Sequence, residues 1–131
     1  LNGMLATLVP EECVFRVDHF LGKSTVVNVL GLRFANRLFE AVWNRDHVAR
    51  VDIVYDETLA LEGRAGYYDG AGALVDMVQS HLLLVAGIVA MEAPAAIEPA
   101  DLHGALVQAL RAMRVRGDDP AASSRRARYT E

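Results

Sequence analysis

One cysteine, Cys13, stands in a chain of 131 residues. A lone thiol rules out an internal disulfide framework and a cysteine-rich zinc site, and it fits a reducing compartment. Lysine is as scarce, since Lys23 is the one lysine among 13 basic residues. Against 17 acidic residues these leave a formal charge of −4, which argues against a general binder of nucleic acid or of anionic membranes. No basic stretch followed by an apolar core opens the sequence, so no secretory signal is visible. The longest apolar run, residues 82–91, falls short of the about 20 residues a bilayer span needs and reads as a core helix. No G-x-G-x-x-G follows a strand pattern and no P-loop occurs, which removes the usual dinucleotide and nucleotide fingerprints. The histidines at 19, 47, 81 and 103 have no metal-ligand spacing.

What is present is apolar: 53% of the residues are hydrophobic, enough for the core of one domain. The first residue is Leu, so the sequence is read as part of a longer reading frame. Residues 14–18 alternate weakly like a short strand, and 48–56 alternate well, with Val51, Ile53 and Tyr55 on one side. Ser24 or Thr25 is placed to cap a helix running to Phe39, followed by a turn at 43–46. Four glycines between 62 and 72 suggest an irregular loop of functional type. A long helix is expected over 71–93, stopped by Pro94, and a last helix from Pro99 or Ala100 to Val115. Residues 117–131 are polar and read as a mobile or cut tail. Two strands make a poor sheet. The fold class is therefore α+β, mostly helical here, with one or two strands of a larger antiparallel sheet. Residues 1–116 form the domain part.

Two places concentrate chemistry. On the long helix, Leu74, Met77, Val78, His81, Val85 and Ile88 share one face at about 100° per residue. His81 in that stripe is either a satisfied core histidine or a general base oriented by a carboxylate such as Asp18. The second place is Asp18-His19-Phe20-Leu21-Gly22-Lys23, which puts a carboxylate, an imidazole and an ammonium within six residues around a glycine. It is either a solvated mixed-charge loop or a site for a phosphate monoester, which accepts charge-assisted hydrogen bonds from several donors. A lysine ammonium can point at one phosphate oxygen where a guanidinium is a broad fork.

The motifs then line up with a known family. Arg16-Val17-Asp18-His19-Phe20-Leu21-Gly22-Lys23 resembles the R-I-D-H-Y-L-G-K-E signature of glucose-6-phosphate dehydrogenases. Leu32-Arg33-Phe34-Ala35-Asn36 is similar to the family's L-R-F-A-N, and Trp43-Asn44-Arg45 to its W-N-R. Glu62-Gly63-Arg64-Ala65-Gly66-Tyr67-Tyr68-Asp69 resembles E-G-R-G-G-Y-Y-D. Asp76-Met77-Val78-Gln79-Ser80-His81-Leu82-Leu83 resembles D-M-x-Q-N-H-L-L, and Ala90-Met91-Glu92-Ala93-Pro94 resembles A-M-E-P-P. The blocks keep their order over roughly residues 13–94.

The resemblance implies oxidation of glucose 6-phosphate to 6-phosphogluconolactone, the first step of the pentose phosphate route, in a cytoplasmic enzyme that commonly forms dimers or tetramers. His81 would be the general base, with Asp18 paired to its imidazole. His19 and Lys23 would hold the 6-phosphate, and Glu57 and Asp76 would contact sugar hydroxyls. NADP would be bound by a nucleotide domain preceding this segment, which is read as the start of the substrate domain. The segment alone is expected to be inactive, because hydride needs an acceptor held near C1. Phe20 replaces the family's phosphate-contacting tyrosine, Ser24 the motif glutamate, and Ser80 the asparagine before the base. These departures keep a second reading open, a catalytically inert phosphosugar-binding or oligomerisation module. Asp76 and His81, five residues apart, lie about 140° from each other on a regular helix, so they meet one ligand only along the helix flank or if the helix is distorted.

Overall fold

Helices joined by irregular segments make up the chain, in the order α1 (Asn2–Leu8), α2 (Ser24–Phe34), α3 (Arg37–Glu40), α4 (Ala65–Ala73), a π-helical segment (Leu74–Leu82), α5 (Leu83–Ala90), α6 (Pro99–Ala112) and a short 3₁₀ turn (Pro120–Ser123). The computed structural model describes residues 2–10, 13–15, 17–56, 61–117 and 119–127. Two units separate, Leu1–Val89 and Ala90–Glu131. Among the described residues Phe20, Ile88 and Met91 are the buried apolar side chains, while Phe15, Leu38 and Leu74 are well exposed.

The helix expected over 24–39 is two helices. Lys23, extended at φ −69°, ψ 133°, is the N-cap, so Ser24 is the first helical residue and not its cap. The break comes at Asn36, whose side-chain oxygen accepts the Leu38 N–H at 3.1 Å and starts α3. A short amide side chain that offers the backbone an alternative partner favours a new cap over continuation.

The glycine-rich stretch is also more helical than its composition suggests. Glu62 and Gly63 turn the chain with φ of 48° and 80°, and α4 begins at Ala65. Gly72, at φ 70° and ψ 159°, interrupts the helix. That backbone region is essentially open to glycine alone. No atom lies within 4 Å of where a Gly72 Cβ would stand, so the constraint is the backbone and not crowding. Gly72→Ala is expected to cost about 1–3 kcal/mol of stability, measured as a lower denaturant midpoint with the slope unchanged; an unshifted midpoint would contradict the kink.

Beyond the kink the helix is wound wide. Over Leu74–Leu82 the ladder runs five residues back, as in the Leu83 N–H bonded to the Val78 carbonyl, where an α-helix bonds four back. Ser80 follows the same spacing, its hydroxyl donating to the Val75 carbonyl at 2.8 Å.

The helical stretch Ala65–Ala90 is long and apolar enough to cross a membrane by length and composition alone, with an 18-residue window of mean hydropathy 1.8. Near its end it is bonded by two side chains from earlier in the first unit. The Arg33 guanidinium donates to the Ile88 carbonyl at 2.5 Å and the Trp43 indole to the Val89 carbonyl at 2.9 Å. Those carbonyls sit in the last turn of α5, where no intrahelical donor remains and where a cation complements the helix dipole. Arg33 is buried, its guanidinium 4.7 Å from the Phe34 ring centroid and 5.3 Å from that of Trp43. The expectation of a core helix over 82–91 holds in part: Ile88 and Met91 are buried, while Leu83 is 39% exposed.

No strand is found among the described residues. Residues 48–56 are irregular despite their alternation, and so are the described residues of 14–18. A strand exists as a ladder with a neighbour, and alternation records only which side chains prefer burial. No described residue supplies that ladder.

In the second unit α6 starts at Pro99 as expected, with the proline in its first turn where a missing N–H costs nothing, and ends at Ala112, short of the expected Val115. Further on, Asp119 accepts the Ala121 N–H at 2.9 Å to start the 3₁₀ turn.

Candidate active site

Asp18 divides its two oxygens between two tasks. Oδ1 accepts the N–H groups of Phe20 at 2.8 Å and Leu21 at 3.1 Å, which folds the chain into a tight turn. The Lys23 N–H closes the next turn onto the Phe20 carbonyl at 3.1 Å. Oδ2 is 2.6 Å from His81 Nδ1, a contact made across 63 residues of sequence. Both side chains are mostly withdrawn from solvent, His81 13% and Asp18 14% exposed. Burial acts most strongly on the Asp18 carboxyl and pushes its pKa up. The Leu21 N–H, the His81 ring and the Phe20 N–H together outweigh it and hold the group below its ordinary 3.8.

Phe20 supplies the apolar floor. It is 5% exposed, and its ring stacks on His81 with centroids 4.4 Å apart and planes 11° from parallel. Tyr55 meets Phe20 edge-on at 5.1 Å. The Lys23 ammonium lies 3.9 Å from the Phe20 centroid and 5.3 Å from that of Tyr55, in cation–π range of both. His19 stands edge-on to His81 at 4.6 Å. The side chains of Asp18, His19, Lys23 and His81 therefore converge, with His19 and Lys23 exposed and the Asp18–His81 pair behind them.

Asp76 sits one π turn before His81. Its Oδ1 accepts the Tyr67 hydroxyl at 2.7 Å and its Oδ2 the Tyr68 hydroxyl at 3.0 Å. The Tyr67 bond is the largest influence on the Asp76 carboxyl and lowers its pKa; burial opposes it, and Tyr68, His81 and Arg64 add to the lowering. The same bond raises the Tyr67 hydroxyl above its ordinary 10.0. Glu57 lies outside the described residues.

Sequence reasoning had no means of finding the Phe20–His81 stack, the Tyr55 edge, or the two tyrosines on Asp76. The adjacent Tyr67-Tyr68 pair was on view as a motif, but its partner emerges only with the kink at Gly72. Arrangements of this kind suit proton abstraction: a carboxylate fixes one ring nitrogen of an imidazole, leaving the other to act as base, while an exposed ammonium and a second imidazole offer donors to an anion. No group of three or more metal-ligating side chains occurs among the described residues. Gly70 and Gly72 lie in helix α4, Gly72 at its kink.

The family model for the glucose-6-phosphate dehydrogenase C-terminal domain matches residues 30–131, and that for the NAD binding domain of the same enzymes matches residues 1–28. Asp18, His19 and Lys23 thus lie on one side of that border and His81 on the other. The chain is 48% identical over 118 residues to a glucose-6-phosphate 1-dehydrogenase of Treponema pallidum, covering 90% of this chain and 23% of that protein. It is 47% identical over 131 residues to one of Gluconobacter oxydans, covering 99% of this chain and 27% of the relative. Among solved structures, a glucose-6-phosphate dehydrogenase in complex with its substrate glucose-6-phosphate superposes with a TM-score of 0.77 at 39% identity, over 85% of this chain and 23% of that one. A Mycobacterium avium glucose-6-phosphate 1-dehydrogenase gives 0.76 at 40% identity, over 85% and 25%. The chain spans about a quarter of the length of the curated relatives it matches.

Proposed function

The chain belongs to the glucose-6-phosphate dehydrogenase family, and on that premise we propose that it carries the proton-abstracting and sugar-holding groups of an enzyme oxidising glucose 6-phosphate to 6-phosphogluconolactone. The observation that carries this reading is the 2.6 Å contact between His81 Nδ1 and Asp18 Oδ2. With Nδ1 engaged, Nε2 takes the proton of the sugar C1 hydroxyl, and Asp18 stabilises the imidazolium that results. His19 and Lys23 bind the 6-phosphate, and Asp76 accepts from sugar hydroxyls, a role in which Glu57 joins it. NADP, held elsewhere in the whole protein, takes the hydride from C1, and no described residue of this chain is assigned to it. A solved relative that binds glucose 6-phosphate supports the choice of substrate.

In the same reading, residues 1–116 together hold the substrate, although 1–28 match the NAD binding domain model and the C-terminal domain match begins at residue 30, and 14–18 and 48–56 are strands of a larger antiparallel sheet. The whole protein is a cytoplasmic homo-oligomer acting at the first step of the pentose phosphate route. A relative from Arabidopsis thaliana, 44% identical over 113 residues, carries the word cytoplasmic in its name, which supports that location.

Lys23 tests the phosphate assignment. In the complete protein Lys23→Ala is expected to raise KM for glucose 6-phosphate about tenfold or more, the scale of a lost hydrogen bond to a charged group. Arg64→Ala, whose guanidinium lies 5.8 Å from the Tyr68 ring centroid, is expected to change KM much less. Equal Michaelis constants in the two variants would remove the assignment. Sugar-phosphate binding without NADP-linked turnover in the parent protein would favour an inert phosphosugar-binding module instead, a reading that draws on Phe20, which has no hydroxyl to offer the phosphate.

A further inference from the structure

Tyr67 and Tyr68 are neighbours in sequence, and neighbours on a helix do not face the same way. Yet both hydroxyls reach one carboxylate, at 2.7 Å and 3.0 Å, one on each oxygen of Asp76. Their rings are perpendicular, with centroids 5.9 Å apart, so the hydroxyls arrive from different directions. The kink at Gly72, with φ 70° and ψ 159°, lies between the tyrosines and the aspartate and folds one onto the other. Arg64 stands near one ring of this group, its guanidinium 5.8 Å from the Tyr68 centroid.

We infer that Tyr67 and Tyr68 are positioning residues that lock the Asp76 carboxylate in one orientation toward the hydroxyls of a sugar phosphate. The inference rests on Asp76 being a sugar contact. An ionised carboxylate has about four acceptor positions; the tyrosines fill two, and the two left over are held in fixed directions. A carboxylate so fixed binds hydroxyls of one stereochemical arrangement, where a rotating one would accept several. The tyrosines act through Asp76 and need not touch the substrate. The lowered pKa of Asp76 agrees with this arrangement, since the bonded form is the ionised one.

The test is a mutant cycle in the complete enzyme, using glucose 6-phosphate and reading KM, kcat and melting temperature. Tyr67→Phe and Tyr68→Phe each remove one hydroxyl and keep the ring, and each is expected to raise KM about three- to tenfold with a far smaller change in kcat. In an Asp76→Asn background the same two substitutions should change KM less than about twofold, because the group they hold is already altered. The inference is overturned if the effects on KM multiply independently of Asp76. It is overturned equally if the tyrosine variants lower the melting temperature and leave KM where it was, which would make the pair a staple for the kink alone. Asp76→Asn with an unchanged KM is a different result: it removes Asp76 from the sugar site, whatever the tyrosines do.

Discussion

Replacing His81 with alanine in the complete protein is expected to cut turnover at least a hundredfold, the scale of a lost general base, while glucose 6-phosphate affinity changes much less. The asymmetry follows from where the contacts lie. The anion-binding donors, His19 and Lys23, belong to the turn after Asp18, whose shape depends on Asp18 Oδ1 and not on the imidazole. Removing His81 takes the proton acceptor from C1 and a stacking partner from Phe20, but leaves that turn bonded. Steady-state kcat alongside calorimetric titration of the sugar phosphate separates the two effects. Equal turnover in mutant and parent would end the base assignment.

Asp18→Asn should lower turnover by a similar factor, about a hundredfold or more, for a different reason. An amide can still accept the Phe20 and Leu21 N–H groups through its oxygen. It then offers an NH₂ where a carboxylate oxygen met His81 Nδ1, and a ring nitrogen that accepts there must carry its proton on the other nitrogen. The imidazole stays in place with the wrong nitrogen protonated for abstraction. The same substitution alters acid stability. The native Asp18 carboxyl titrates below its ordinary 3.8, so over that window the unfolded chain binds more protons and stability rises with pH. The contribution is fully present above about 3.8 and is lost as pH falls through the lowered value. Denaturation series at successive acid pH values should show this limb in the parent and a flatter one in Asp18→Asn. Identical limbs would mean that the carboxylate does not hold the pair.

The chemistry-bearing residues were legible in the sequence because they come in short runs of fixed type. Asp18, His19 and Lys23 sit within six residues, and His81 stands out as an imidazole in an apolar stripe. The long-range pairing of Asp18 with His81 needed the family resemblance as well, since 63 residues of separation leave no periodic trace. The motif blocks at 32–36 and 43–45 were visible but mute; in the structure Arg33 and Trp43 reach the last carbonyls of the helix that bears His81. Local signals failed where two of them competed. Asn36 looked like one more residue of a helix and instead capped a new one. The glycines of 62–72 suggested a loop, yet helix-forming neighbours carried α4 through Gly66 and Gly70, and Gly72 broke it. Residues 48–56 had the alternation of a strand without a ladder to join.

The separation of Asp76 and His81 shows most clearly what an α-helical period conceals. Five residues put them about 140° apart on a regular helix, but in the wide segment the ladder itself spans five residues, so the two side chains follow one another up the same flank. The number of residues in that turn is then coupled to how widely it is wound. Deleting a single one, Val78 for instance, would let the segment tighten to an ordinary α-helix and retain every group of the site in the polypeptide. The aspartate and the imidazole, then four residues apart, would stay within about 40° of each other on one face; tightening the segment at its full length would instead carry them about 140° apart, so the extra residue and the wide winding should be kept or lost together.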